Sequence, residues 1–162
     1  MTYITSGIIG VSLTTTTAGT TTDGADAKFT LGQRASGSDN TEWVYVQASG
    51  AITQYDAVGI DENFQAAALT TAIADDGWQI GFAQVAFADN EFGWVCSRGA
   101  NISARVAASC AADVALYTTA TAGVLDDAST SQTKIDGVVA VTAVTAAAAT
   151  EVIATYPKST TF

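Results

Sequence analysis

Three carboxylate doublets, Asp61-Glu62, Asp75-Asp76 and Asp126-Asp127, carry the residue types from which acid–base hydrolysis or Ca²⁺ binding could be built. Glycoside hydrolysis needs two carboxylates facing each other across a cleft. Neighbours on a strand point to opposite faces, so no doublet is itself such a pair. Each lies close to Gly, Asn or Ser, where acids bond to backbone amides and shape turns. Asp61-Glu62-Asn63 and Asp89-Asn90-Glu91 offer oxygen ligands without the Asp-x-Asp-x-Asp-Gly spacing of an EF-hand loop.

The chain has no histidine, which removes the commonest general base and the commonest metal ligand together. Neither a Ser-His-Asp nor a Cys-His arrangement can be assembled. No Gly-rich phosphate loop is present. Cys96 and Cys110 stand 14 positions apart, a spacing that fits no common zinc pattern. Cys96 alternates with Trp94 and Phe92, the mark of a buried strand face, so two reduced structural cysteines are expected. A disulfide stays open at this point, because the Cα separation is not fixed by sequence. Trp43, Trp78, Trp94, Tyr45, Tyr55 and Tyr117 could stack sugars, but their places within apolar runs favour core or interface packing. No catalytic, cofactor-binding or metal-binding residue is assigned.

Net charge is −10, and nine acids with no Lys or Arg lie between Ala35 and Ser97. Phosphate contacts need clustered cations, so neither nucleic acid nor an anionic membrane is an expected partner. Only 14% of residues are charged, against about 25% in typical soluble domains. The apolar run from Gly7 to Leu13 is far short of a membrane span and lacks the basic start of a secretory signal. A cytosol-like site of synthesis is the expectation.

The elements that must position these residues read as β. Trp43-Val44-Tyr45-Val46 is aromatic and β-branched. Ile102, Ala104 and Val106 alternate with Ser103 and Arg105, predicting an inward and an outward face. Trp78 to Phe87 lacks a polar face and reads as a strand buried on both sides. Glu151 to Tyr156 is predicted to close the domain, with Pro157 ending the ladder. Arg98-Gly99 is one of several turn signals spaced as in a β-sandwich or small barrel. Ala66 to Asp75 has Leu69 and Ile73 at helical spacing and admits a short helix, but the local Thr content and flanking strands argue instead for a loop or strand edge. Residues 1–41, rich in Thr and Gly, read as an extended N-terminal arm with a strand near Phe29 to Leu31; residues 42–162 form the β-rich domain.

An internal repeat is suggested. Asp56-Ala57-Val58-Gly59-Ile60-Asp61, followed by Ile80-Gly81-Phe82, has a counterpart at Asp113 to Tyr117 and Ile135 to Val141. Asp56 and Asp113 lie 57 positions apart, and Ile80 and Ile135 lie 55 apart. The fold class expected is a compact all-β sandwich or small barrel, built from a duplicated β unit.

Four segments carry a likeness to known proteins. They are Leu31 to Arg34 with Glu42 to Ile52, Tyr55 to Asp61, Ile80 to Phe87, and Leu116 to Asp126. Together they resemble the head decoration, or cement, proteins of tailed bacteriophages. The resemblance implies a non-enzymatic virion protein, made in the host cytoplasm, that sits on the outer capsid surface and stabilises it. Its implied partners are the major capsid protein and copies of itself in a homotrimer. It carries over no catalytic residue, cofactor or metal. Ile4, Ile8, Ile9, Val11 and Leu13 in the arm are the candidate capsid contacts, by docking on the shell or adding a strand to a neighbouring sheet. A tail or host-attachment protein that binds carbohydrate is the second reading, and a carboxylate-based glycan hydrolase the third.

Overall fold

The computed structural model describes residues 11–20, 26–130 and 132–160. Its strands are β1 (Arg34–Ser36), β2 (Glu42–Ala48), β3 (Ala57–Ile60), β4 (Gln65–Ala68), β5 (Gln79–Phe82), β6 (Phe92–Val106), β7 (Ala115–Thr118), β8 (Leu125–Asp126), β9 (Lys134–Ala140) and β10 (Ala148–Ser159). One short helix, α1 (Thr71–Asp75), joins β4 to β5.

Strand pairing closes two circuits. β3 pairs antiparallel with β4 and β5, β6 pairs antiparallel with β5 and β2, and β2 runs parallel to β4. These five strands form a closed barrel. A second circuit repeats the plan. β7 pairs antiparallel with β8 and β9, β10 with β9 and β6, and β6 runs parallel to β8. The first half of β6 completes one ring, and its second half begins the next. Closure leaves few free edges, which suits a chain of aggregation-prone strands.

Register repeats along with topology. Gly59 faces Ile80 in the first ring, and Leu116 faces Ile135 in the second. The duplication suggested by the Asp56/Asp113 and Ile80/Ile135 spacings is therefore visible in the pairing. The inward faces correspond one residue later: buried Val58 and Ile60 match buried Leu116 and Thr118, while Ala115 and Tyr117 are only half-buried.

The first ring is filled by small side chains. Val44, Val46, Ala48, Val58, Ile60, Ala66 and Val95 form one cluster. Gly81 makes room for Val95, since a Cβ there would lie 2.6 Å from its Cγ1. Ile102, Ala104, Val106, Leu116, Leu125, Ile135, Val138, Ala140, Val152 and Ala154 are buried hydrophobic residues of the second ring. Each large aliphatic side chain so buried contributes roughly 1.5–3 kcal/mol relative to exposure.

Several local expectations are corrected. β6 is one 15-residue strand, so Arg98-Gly99 is no turn. The Gly and Asn there form a bulge instead: Gly99 (φ 155°) and Asn101 (φ 60°) take positive φ, and the ladder with β10 resumes out of register. β10 runs past Pro157 to Ser159. The proline falls at an irregularity between Ala154 and Lys158, where no ladder donor is required of it. Within Trp78–Phe87 the strand is β5 alone, and Phe87 adds an isolated antiparallel bridge to Ile52. The Ala66–Asp75 stretch splits into β4 and α1, because Thr70 caps the helix by accepting the Ile73 amide at 3.2 Å. The strand expected near Phe29–Leu31 lies instead at β1, which pairs with β2.

Candidate interaction surface

The described part of the N-terminal segment lies against the first ring. Thr17 and Phe92 exchange two backbone hydrogen bonds of 2.8 Å. Val11, Leu13, Phe29 and Leu31 pack on the outer face of β2 and β6, where Trp43, Tyr45, Phe92 and Trp94 are buried. Phe29 meets Tyr45 edge-on at 5.2 Å and Trp94 at 5.4 Å. Of the candidate capsid contacts, Val11 and Leu13 are thus half-buried on the chain's own core. Ile4, Ile8 and Ile9 lie outside the described residues.

The carboxylates are engaged locally. Asp61 Oδ1 accepts the amides of Asn63 (2.9 Å) and Gln65 (2.8 Å), fixing the β3–β4 turn. Glu91 accepts the Ala88 amide at 2.9 Å. Asp75 accepts the Thr133 hydroxyl at 2.6 Å. Asp127 accepts the Ala111 amide at 3.0 Å, and Asp126 accepts the Asp127 amide at 2.9 Å. Asp126, Asp127 and buried Cys110 bring their ligand atoms within 4.8 Å of one another. Burial, and then the neighbouring Asp127, push the Asp126 carboxyl above its ordinary range; burial and both acids push the Cys110 thiol up. Burial and mutual repulsion thus oppose ionisation of both groups.

Both cysteines are free and buried, in keeping with the strand pattern. Burial pushes the Cys96 thiol up to about 11, so it is a packing residue and not a nucleophile near neutral pH. Trp43, Tyr45 and Trp94 are buried, and Tyr55, Trp78 and Tyr117 half-buried. These six form no exposed stacking row.

The two rings are locked together by a polar junction. Asp56, immediately before β3, pairs with Arg105 of β6 at 2.6 Å and accepts the Thr53 amide at 2.9 Å. Its side chain is only 4% exposed. Gly123, in the β7–β8 turn, accepts from the Ala57 amide and donates to the Leu69 carbonyl. A Cβ on Gly123 would lie 2.3 Å from the Asp56 carboxyl carbon. A second link joins α1 to the second ring: the hydroxyls of Thr71 and Thr118 lie 2.9 Å apart, and both reach Gln132 Oε1.

Among the described residues, the large apolar side chains left in water gather on one face of β9 and β10. Val139 (38% exposed), Val141 (37%), Ile153 (49%) and Tyr156 (46%) are its members. Val139 and Ile153 are direct ladder partners. The tip that follows, Thr142 to Ala149, carries no charged side chain and is mostly exposed. Tyr156 donates its hydroxyl proton to Glu42, which also pairs with Arg98 at 2.9 Å, and Arg98 lies over the Tyr156 ring. The sequence pattern assigns Ile153 to a closing strand and does not by itself reveal this face. A signal is nonetheless present: Val152-Ile153-Ala154 is apolar on both sides of a strand whose outward positions should be polar.

No family model matches this chain, and no curated protein matches it.

Proposed function

We propose that this protein is a non-enzymatic structural subunit that binds the outer surface of a phage capsid and stabilises the shell. The observation that carries this is the exposed apolar β9–β10 face, in a two-ring body whose carboxylates serve as turn acceptors. A shell protein needs surface to bury against neighbours and a body whose closed pairing resists local opening. The likeness of the segments Glu42–Ile52, Tyr55–Asp61, Ile80–Phe87 and Leu116–Asp126 to head decoration proteins supplies the class of partner, the major capsid protein. Many copies on one shell would turn modest single contacts into strong collective binding.

The second reading, a carbohydrate-binding attachment protein, is disfavoured by the burial of Trp43, Tyr45 and Trp94. Quantitative mass spectrometry of purified particles, comparing this chain with the major shell subunit, separates the two. A ratio near parity or a simple fraction is expected. A handful of copies per particle would sink the decoration reading and move the protein to the tail or a single vertex.

A further inference from the structure

The outward residues of β10 include Glu151, Ile153, Tyr156 and Lys158, in the order acid, apolar, apolar, base. Turned end for end, that row is its own complement. Glu151 falls opposite Lys158, and Ile153 falls opposite Tyr156. Self-complementarity of this kind is what a two-fold interface requires, because residue i must meet j while j meets i.

The surrounding charges support the pairing. Among the ion pairs of the described residues, Lys134 is held by Asp136 and Arg98 by Glu42, while Glu151 and Lys158 take part in none. Tyr156 satisfies its hydroxyl within the chain, through Glu42, and keeps its ring outward. Arg98 backs that ring at 5.7 Å from its centroid, which holds it as a fixed platform. Val139, paired with Ile153 in the ladder, widens the apolar centre of the row.

The internal repeat points the same way. The outer face of the first ring is covered by Val11, Leu13, Phe29 and Leu31 of the same chain. β10 stands to the second ring as the first half of β6 stands to the first, and no described segment covers Ile153 there.

We propose that the β9–β10 face binds the same face of a second copy of this chain, with the two β10 strands antiparallel. Glu151 of each copy meets Lys158 of the other, around a centre of Ile153, Val139 and Tyr156. The contact uses the same face that carries the capsid reading, so a dimer sealed through it leaves that reading to the likeness of the segments alone, and it gives a dimer where the resemblance implies a trimer.

Sedimentation velocity of the full chain over a concentration series tests this. A reversible dimer is expected. Ile153→Asp should raise its dissociation constant by about 30-fold or more, as expected for a charge placed at an interface centre. Glu151→Lys and Lys158→Glu should each weaken the dimer by roughly threefold or more, through like charges at both ends of the contact. The double reversal should restore the wild-type constant, because every facing pair is again opposite in sign. All three sites are exposed, and far-UV circular dichroism checks that each variant keeps the fold. A monomer up to about 1 mM, at the weak limit of specific association, overturns the proposal. So does a trimer, a dimer indifferent to these changes, or a double reversal that fails to recover.

Discussion

The two rings share strand order, register and one strand, yet they use their outer faces differently. The first ring turns Trp43, Tyr45, Phe92 and Trp94 outward and buries them under the chain's own N-terminal segment. The second turns out Ser103, Arg105 and Glu151, and leaves Ile153 and Val139 in water. Backbone topology thus settles which residues line each ring, while side-chain size on the outer face settles whether that face is core or surface. A duplicated unit whose first copy is wrapped and whose second is bare has separated stability from contact within one fold.

Truncations on the two faces should break this comparison most sharply. Trp94→Ala removes a fully buried ring from the wrapped face and should cost about 3–5 kcal/mol in urea unfolding. Ile153→Ala on the bare face should change the monomer's stability by less than about 0.5 kcal/mol. Equal losses at the two sites would mean that the outer faces of the rings do not differ in this way.

The junction comes next in size. Gly123 has φ +76°, a conformation that costs other L-residues about 1–2 kcal/mol, and its missing Cβ is where Asp56 sits. Gly123→Ala should destabilise by more than about 2 kcal/mol through that strain and the loss of the Asp56–Arg105 pair. Asp56→Asn keeps the shape while removing the charge, and should cost about 1–3 kcal/mol, because Arg105 and the Thr53 amide lose a charged acceptor. Denaturation of both variants, followed by tryptophan fluorescence for the first ring and circular dichroism for the whole, sharpens the result. Separate transitions would show the rings coming apart at this joint.

Much of the interior was legible in the sequence. Ile102-Ser103-Ala104-Arg105-Val106 alternates as it does in the structure, and the period of two has a single cause, the pleat. The Phe92, Trp94 and Cys96 face was legible for the same reason. The repeat showed through its spacings, but each strand was misaligned by one residue. Antiparallel register depends on the sum of two positions, so opposite errors on β3 and β5 cancel. Ring closure was not legible, because the β2–β4 and β6–β8 parallel pairs depend on contacts that no local pattern encodes. The Arg98-Gly99 signal misled because Gly serves a bulge as readily as a turn. The β9–β10 face was missed because residue type alone does not distinguish an apolar outward residue from a buried one.

The α1 link should give a smaller effect than the junction. Thr118 Oγ1 contacts Thr71 and Gln132 and accepts the Thr133 amide at 3.0 Å, all largely out of water. Thr118→Val keeps the shape and leaves that amide without its acceptor, at a cost of about 1–2 kcal/mol. Thr118→Ser retains the hydroxyl and should lose mainly a methyl contact, so in chemical denaturation it should fall between Thr118→Val and the wild type. If Thr118→Val matches the wild type, the second ring does not depend on this network.

The smallest expected effect is a pH dependence at the seam between β2, β6 and β10. The hydrogen bond from Tyr156, followed by the pairing with Arg98, holds the Glu42 carboxyl below its ordinary value of 4.5 despite some desolvation. A carboxyl with a depressed folded-state value stabilises the fold above its unfolded value, and that contribution disappears as pH falls through the folded one. Glu42 therefore adds stability at neutral pH and loses it only in acid, below about 4.5. Glu42→Gln removes this component, so the wild-type advantage over the variant should be constant at neutral pH and shrink towards zero on acidification. Because Glu42 is 29% exposed, salt should also reduce it. The partner group makes the assignment specific: Tyr156→Phe takes away the leading cause of the shift and should raise the pH at which the Glu42 contribution fades. Thermal melts of the three proteins at matched ionic strength between about pH 3 and 7 measure this. An advantage over Glu42→Gln that grows in acid would have the wrong sign, and the Tyr156 contact could not then be what holds the Glu42 carboxyl ionised.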